Sequence, residues 1–201
     1  MEVFHRENLV TDDPPIVGVN ANSGNPHYEP HAEGSAPIRE GDFVLLDVWA
    51  KKNTPGAVYY DITWTGFVGK APSERMREVF TVVRDARDAG VKTVQEAVAA
   101  GRSIAGWEVD RAVRNHIQKS GFGQYFIHRT GHSIATEIHA NGANMDDLEI
   151  HDERRILPNS CFSIEPGIYL PHFGVRSEVN MFVGEHEARV TGEMQRAMQL
   201  L

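Results

Sequence analysis

The sequence predicts an α+β protein on three observations. Residues 10–70 are short apolar runs broken by Pro, Gly and Asn, residues 73–119 change to helical spacing, and residues 122–190 return to the first pattern. Strands, then two helices, then strands, in a chain of 201 residues, fit one domain with its helices on one face of a largely antiparallel sheet.

The clearest strand is Phe43–Ala50, launched by the Glu40-Gly41-Asp42 turn and apolar on alternate and intervening positions alike, so burial on both sides is expected. Ala57–Thr65 follows, rich in β-branched and aromatic residues, and Lys51–Gly56 reads as the hairpin loop that makes the two strands antiparallel neighbours. After Pro72, Ser73 is a candidate N-cap for a helix whose apolar stripe is Met76, Val79, Phe80, Val83 and Ala86. Gly90 is either a break or a tolerated flaw before Val94, Ala97 and Val98. A second helix spans about Glu108 to Lys119, with Gly121 just past its end. The charged positions of the first helix, Arg75, Arg77, Glu78, Arg84, Asp85, Arg87 and Asp88, are of mixed sign and read as a solvated face. Cys161–Leu170 and Gly174–Val179 are the strongest later strands, and the residues from His186 onward read as a surface tail or short strand.

Composition narrows the function classes. A formal charge of −8 argues against a nucleic-acid partner. No apolar run reaches the length of a membrane span, and the residues from Met1 to Arg6 have neither the basic nor the apolar region of a secretion signal, so no membrane partner is expected. Cys161 is the single cysteine and reads as a small buried hydrophobe, which suits a reducing cytoplasm.

Four acids interrupt apolar strand runs: Asp47 in LLDVW, Asp61 in YYDIT, Glu165 in SIEPG and Glu178 in RSEVN. An isolated buried carboxylate costs several kcal/mol, so a strand interior keeps one only when it is protonated, paired or bound to a cation. For any one of them, a strand turned so that the acid meets water is an equal reading; four together, with His128, His132 and His139 in one glycine-interrupted segment, favour metal. Oxygen-rich donors with one or two imidazoles suit Mn²⁺, Co²⁺, Fe²⁺ or Zn²⁺ rather than a thiolate zinc site, and two such ions could activate water and polarise a carbonyl.

These words resemble the pita-bread metallopeptidases, the family of methionine aminopeptidase, aminopeptidase P and prolidase, over nearly the whole chain from about Pro14. The resemblance implies a curved, largely antiparallel sheet with helices on its outer face, and a dinuclear site held by Asp47, Asp61, His132, Glu165 and Glu178, with Mn²⁺ the foremost candidate ion. It implies that Asp47 chelates one ion, that Asp61 and Glu178 bridge both, and that His132 and Glu165 bind the other. Glu165 would also shuttle a proton from a metal-bridging hydroxide's parent water to the leaving amine, while His27 and His139 would hydrogen-bond substrate. His128, Arg176 and Tyr169 resemble the proline-specific branch, which implies hydrolysis of amino-terminal Xaa-Pro bonds in peptides with proline second.

Some positions depart from the family pattern. Trp64 stands where arginine is common, Ser133 and Ala135 replace glycines, Ala140 replaces an acid, and the Asp47–Asp61 separation is longer, which the Lys51–Gly56 loop can absorb. The family's first helix pair is also missing before the first strands, with Glu2–Leu9 read as the tail of its second helix, so residues 1–201 read as one amino-terminally incomplete catalytic domain. Such a chain would expose apolar sheet, which predicts a homodimer, a partner chain or poor solubility. The competing readings are a non-catalytic peptide- or protein-binding module, an inactive fragment of a longer peptidase, and a metal-free hydrolase resembling creatinase. Retained ligands speak against the first and third. His31, His151, His172 and His186 read as surface histidines, with His172 a weak candidate for the cleft, and Trp49 and Trp64 as core or cleft wall.

Overall fold

The computed structural model describes residues 1–201. A first sheet is built on the long antiparallel hairpin of β3 (Phe43–Lys52) and β4 (Tyr60–Phe67), which aligns Asp47 with Thr63 and Trp49 with Asp61. Short strands extend it: β1 (Leu9–Val10), after helix α1 (Glu2–Arg6), and β2 (Ile16–Val19) both pair with β3. Helices α2 (Glu74–Ala99) and α3 (Gly106–Lys119) follow. The second sheet takes β5 (Ser133–Ile134), β6 (Ser160–Ile164), β9 (Val179–Val183) and β10 (Ala188–Thr191) in the order β10-β9-β6-β5, all antiparallel. A small hairpin of β7 (Gly167–Tyr169) and β8 (Gly174–Arg176) sits between its strands in sequence, and β11 (Gln199–Leu200) closes the first sheet by a parallel pairing with β4.

Helix α2 starts where Ser73 Oγ accepts the Met76 amide at 3.2 Å, satisfying one of the donors a helix start leaves free. It runs unbroken through Gly90. A Cβ there would come within 2.7 Å of Val113 Cγ2 and 3.1 Å of Ile164 Cγ2, so glycine lets α2 lie close against α3 and the sheet. The core forms where the α2 and α3 stripes (Val79, Val83, Val94, Val109, Val113, Ile117) meet Phe162, Ile164, Val179 and Met181. Each side chain of this kind contributes about 1.5–3 kcal/mol by leaving water.

The alternation of β3 and β4 explains where the acids go. Phe43, Leu45, Asp47, Asp61, Thr63 and Thr65 are buried on one face, and Leu46, Val48, Tyr60, Ile62 and Trp64 share the other. That second face corrects the expectation of a strand buried on both sides. Leu46 is 42% exposed, and with Val48, Tyr60, Ile62, Trp64 and Glu193 it lines an open apolar groove, because α2 and α3 lie over the second sheet instead.

Other expectations change too. Trp64 belongs to this outer groove rather than to the core or cleft. Of the two readings for the residues after His186, the short strand holds for Ala188–Thr191, where β10 pairs with β9; Gln195 beyond it is no surface tail, its side chain being buried with Oε1 accepting the Thr65 amide at 3.0 Å. Cys161 is half-buried, on the face of β6 turned away from the helices, and so is not a core residue. Arg87 is fully buried, a correction to the solvated helix face that the mixed charges of α2 predict, because Ser177 Oγ and Gln195 O converge on its guanidinium.

Candidate metal centre

Asp47 and Asp61 come from β3 and β4, Glu178 from the turn between β8 and β9, Glu165 from the turn between β6 and β7, and His132 from the residue before β5. Their placement follows from how the sheets join. The Glu178 amide donates to Thr63 O at 3.2 Å, the Glu165 amide to Thr130 O at 2.7 Å, and the Asp61 amide to the Asn180 side chain, Oδ1, at 3.0 Å, so each acid's own backbone amide ties it into one seam. Gly131 lets the segment carrying His132 lie close against Ser163 of β6. A Cβ on it would overlap the Ser163 carbonyl oxygen, and that contact seats His132 beside Glu165.

In this seam, donor atoms of Asp61, His132 and Glu178 lie within 4.8 Å of one another, and His132 Nε2 is 3.4 Å from both Asp61 Oδ2 and Glu165 Oε1. His132 Nδ1 faces its neighbour's carbonyl, Ser133 O, at 3.3 Å, leaving Nε2 free to bind a cation. Asp47 is ion-paired with Arg176, whose Nε also donates to Thr63 Oγ1 at 3.0 Å; that hydroxyl donates onward to Glu178 Oε2 at 2.8 Å. Ser163 Oγ accepts the His132 amide at 3.0 Å and donates to Glu165 Oε1 at 2.9 Å.

Four carboxylates and one guanidinium share this small volume. Burial is the largest influence on Glu178 and pushes it well above the ordinary glutamate range, with Asp61, Glu165 and Asp47 adding repulsion that Arg176 only partly offsets. Burial likewise raises Glu165 against the pull of His132 and Arg176, and raises Asp47 against Arg176. For His132, burial opposes the charged ring, but Asp61 and Glu165 outweigh it and leave the pKa raised. Asp47 Oδ1 and Glu178 Oε1 are buried with no hydrogen-bond partner. Excess negative charge and two orphaned carboxylate oxygens are what divalent cations would satisfy, so these residues fit the metal that their order suggests.

The accessory residues gather at the same place. Tyr169 Oη accepts from Arg176 Nη1 at 3.0 Å and lies 2.7 Å from His128 Nε2, and His128 Nδ1 is 2.7 Å from Arg129 O. Burial holds the His128 pKa down to about 3, helped by the charge of Arg176, and burial pushes Tyr169 up to about 12. The His139 ring meets that of His132 at 4.3 Å between centroids, and burial followed by the His132 charge lowers its pKa. His27 is exposed at the rim, on a segment drawn in by the 3.3 Å hydrogen bond from Arg176 Nη1 to Pro26 O. His31, His151, His172 and His186 are exposed; His172 sits at the tip of the β7–β8 hairpin. Thr63, Ser163 and Asn180 escaped the sequence reading. Each lies two residues from an acid, Thr63 within β4 and Ser163 and Asn180 on the strands next to the turns that carry Glu165 and Glu178, and that spacing of two was the available signal.

The chain is similar to known peptidases in sequence and in fold. The chain is 34% identical over 166 residues to the Xaa-Pro dipeptidase of Lactobacillus delbrueckii subsp. lactis, covering 81% of this chain and 40% of that one. Among solved structures, a dipeptidase from Pyrococcus horikoshii OT3 superposes with a TM-score of 0.78 at 35% identity, over 93% of this chain and 48% of that chain. The Xaa-Pro dipeptidase from Bacillus anthracis does so with a TM-score of 0.80 at 31% identity, over 100% of this chain and 52% of that chain. The chain therefore has the pita-bread fold of these peptidases and spans about half the length of the relatives it matches. The model of metallopeptidase family M24 matches residues 1–185, which takes in every acid and histidine of the seam, and the chain belongs to that family.

Proposed function

We propose that the chain carries the catalytic centre of a dinuclear metallopeptidase that hydrolyses amino-terminal Xaa-Pro bonds. The observation that carries this reading is the convergence of the buried Asp47, Asp61, Glu178 and His132 with the partly buried Glu165, with Asp47 Oδ1 and Glu178 Oε1 unpartnered. Asp47, Asp61, His132, Glu165 and Glu178 would hold two divalent ions, Mn²⁺ foremost, since oxygen donors with one imidazole suit it. When bound, such ions supply Lewis acidity toward the scissile carbonyl and a water acidic enough to attack at neutral pH.

The chain's own residues supply the rest. Glu165, raised toward neutrality by burial, is suited to accept a proton at one carboxylate oxygen and release it to the departing amine, while Ser163 Oγ holds the other oxygen in place. His139 stays neutral at pH 7 and faces the cleft beside His132, where its N–H can donate to the developing oxyanion. His27 at the rim can reach the peptide. Arg176 orders the floor by tying Asp47, Thr63 and Tyr169 together, and the Tyr169–His128 pair walls the side next to it. The substrate would be a peptide with proline at the second position, as for the dipeptidases it is similar to. The protein would work in the cytoplasm as a homodimer, the open groove over β3 and β4 being the apolar surface that supports association.

The test is metal content after purification with Mn²⁺, measured beside hydrolysis of a fluorogenic Xaa-Pro peptide. Two ions per chain with turnover abolished by a chelator is the expected result. A chain that binds no divalent ion sinks the reading.

A further inference from the structure

Arg87 is the largest fully buried side chain that the chemistry above does not use. It rises from α2 on the side of the helix turned toward the metal seam. Nη1 donates to Ser177 Oγ at 2.7 Å and to Gln195 O at 2.9 Å, and Nε and Nη2 donate to Asp88 Oδ1 at 3.0 and 2.7 Å. Ser177 is completely buried and immediately precedes Glu178. Its amide donates to Pro166 O at 3.3 Å, next to Glu165, and the following amide, that of Glu178, donates to Thr63 O. The Ser177 peptide thus crosses between the two segments that carry the glutamates, and the only side-chain hydrogen bond to its hydroxyl comes from Arg87.

The other acceptor, Gln195 O, belongs to the residue whose amide side chain clamps Thr65 of β4. One guanidinium therefore fixes Ser177 and the segment after β10 against α2, with Asp88 countering its charge at the half-exposed edge. A planar fork with several donors can hold two acceptors in different directions at once, which a point charge cannot.

We propose that Arg87 is a positioning residue for Glu178, acting through Ser177 Oγ to hold the β8–β9 turn where the Glu178 carboxylate meets Asp61 and His132. The inference rests on the metal reading given above. Without the guanidinium, Ser177 Oγ and Gln195 O lose their partner in a dry site, and the turn carrying Glu178 gains freedom that weakens cation binding.

The experiment titrates the metal-stripped full chain with Mn²⁺, counting free ion by electron paramagnetic resonance, for the unchanged protein, Arg87→Gln, Ser177→Ala and the double variant. Thermal unfolding of each metal-stripped form is recorded alongside. Arg87→Gln is expected to lower Mn²⁺ affinity about 10–100-fold, the range for removing a residue that orients a metal ligand. The double variant should lose little more than Arg87→Gln alone, since both substitutions break one contact. Unchanged affinity in folded Arg87→Gln, or fully additive losses, overturns the proposal; a lowered unfolding temperature with unchanged affinity does the same, as it marks a role in packing only. Should Arg87→Gln fail to fold, Ser177→Ala decides alone, with weakened binding in support and unchanged binding against. An unchanged protein that binds no Mn²⁺ removes the metal reading itself, and this inference with it.

Discussion

Tyr169 donates its hydroxyl proton to His128 Nε2 at 2.7 Å. The direction follows from the other nitrogen: His128 Nδ1 lies 2.7 Å from a carbonyl, Arg129 O, and so carries the proton, which leaves Nε2 as acceptor. Tyr169 Oη in turn accepts from Arg176, so a one-way chain of donors runs from the guanidinium that pairs with Asp47 through Tyr169 and His128 to Arg129 O. Tyr169→Phe keeps the ring and removes both links. Turnover of an Xaa-Pro peptide should fall about 10–100-fold with two ions still bound; unimpaired turnover would show that the chain of donors does not support the site.

Asp61 and His139 should separate metal binding from rate. Asp61 sits between His132 and Glu178 within the donor cluster, whereas His139 touches the cluster only through the His132 ring. Asp61→Ala should abolish dinuclear binding and activity together. His139→Ala should keep both ions and lose about 10²–10³ in kcat, the scale of one oxyanion donor. Metal analysis with steady-state kinetics checks both, and an Asp61→Ala protein with two ions and full turnover would falsify the ligand assignment.

Stability should depend on pH in opposite senses with and without metal. Glu178 is raised well above its ordinary value, first by burial, so the folded chain holds a proton that the unfolded chain releases near pH 4.5. Stability from this group is complete below about pH 4.5 and is lost as pH rises toward the folded value. His128 acts the other way: held down to about 3 by burial, it favours the fold above its ordinary 6.5 and disfavours it as pH falls. Above pH 6.5 His128 no longer contributes, whereas His132, raised above its ordinary 6.5 by Asp61 and Glu165, loses stability as pH rises in the same sense as the raised acids, so the unfolding temperature of metal-stripped protein should drop as pH rises there. Saturating Mn²⁺ should flatten or invert that slope, because the cations favour the ionised carboxylates. Differential scanning fluorimetry across this window checks both halves.

The groove of Leu46, Val48, Tyr60, Ile62 and Trp64 should make the chain associate. Trp64→Lys places a charge at its centre, on the sheet face opposite Asp61 and Asp47. The substitution should shift light-scattering mass toward the monomer and leave metal content unchanged. A monomeric unchanged protein at high concentration contradicts this.

Much of the site was legible because chemistry is local in sequence. A carboxylate inside LLDVW or SIEPG is conspicuous since burial there is costly, and the order of five ligands survives whatever the strands do. Helix α2 was legible for the same reason, its stripe and its Ser73 cap being written within a few turns. The residues that hold the ligands were not, because their partners lie far along the chain: Thr63 meets Glu178 across 115 positions, Arg176 meets Asp47 across 129 and Arg87 meets Ser177 across 90.

Periodicity also misled in two places. It separates the two faces of β3 and β4 but does not say what lies over each, so Leu46 was expected in a core that α2 and α3 build over the other sheet. It placed Arg87 among solvated charges, although a guanidinium can be buried wherever distant acceptors converge on it. The sequence by itself determined the ligand types, their order and the elements that carry them. Only the tertiary structure decided which ligand faces which, which charge is buried and which apolar face stays open, because those depend on how layers pack across the whole chain rather than on spacing within one element.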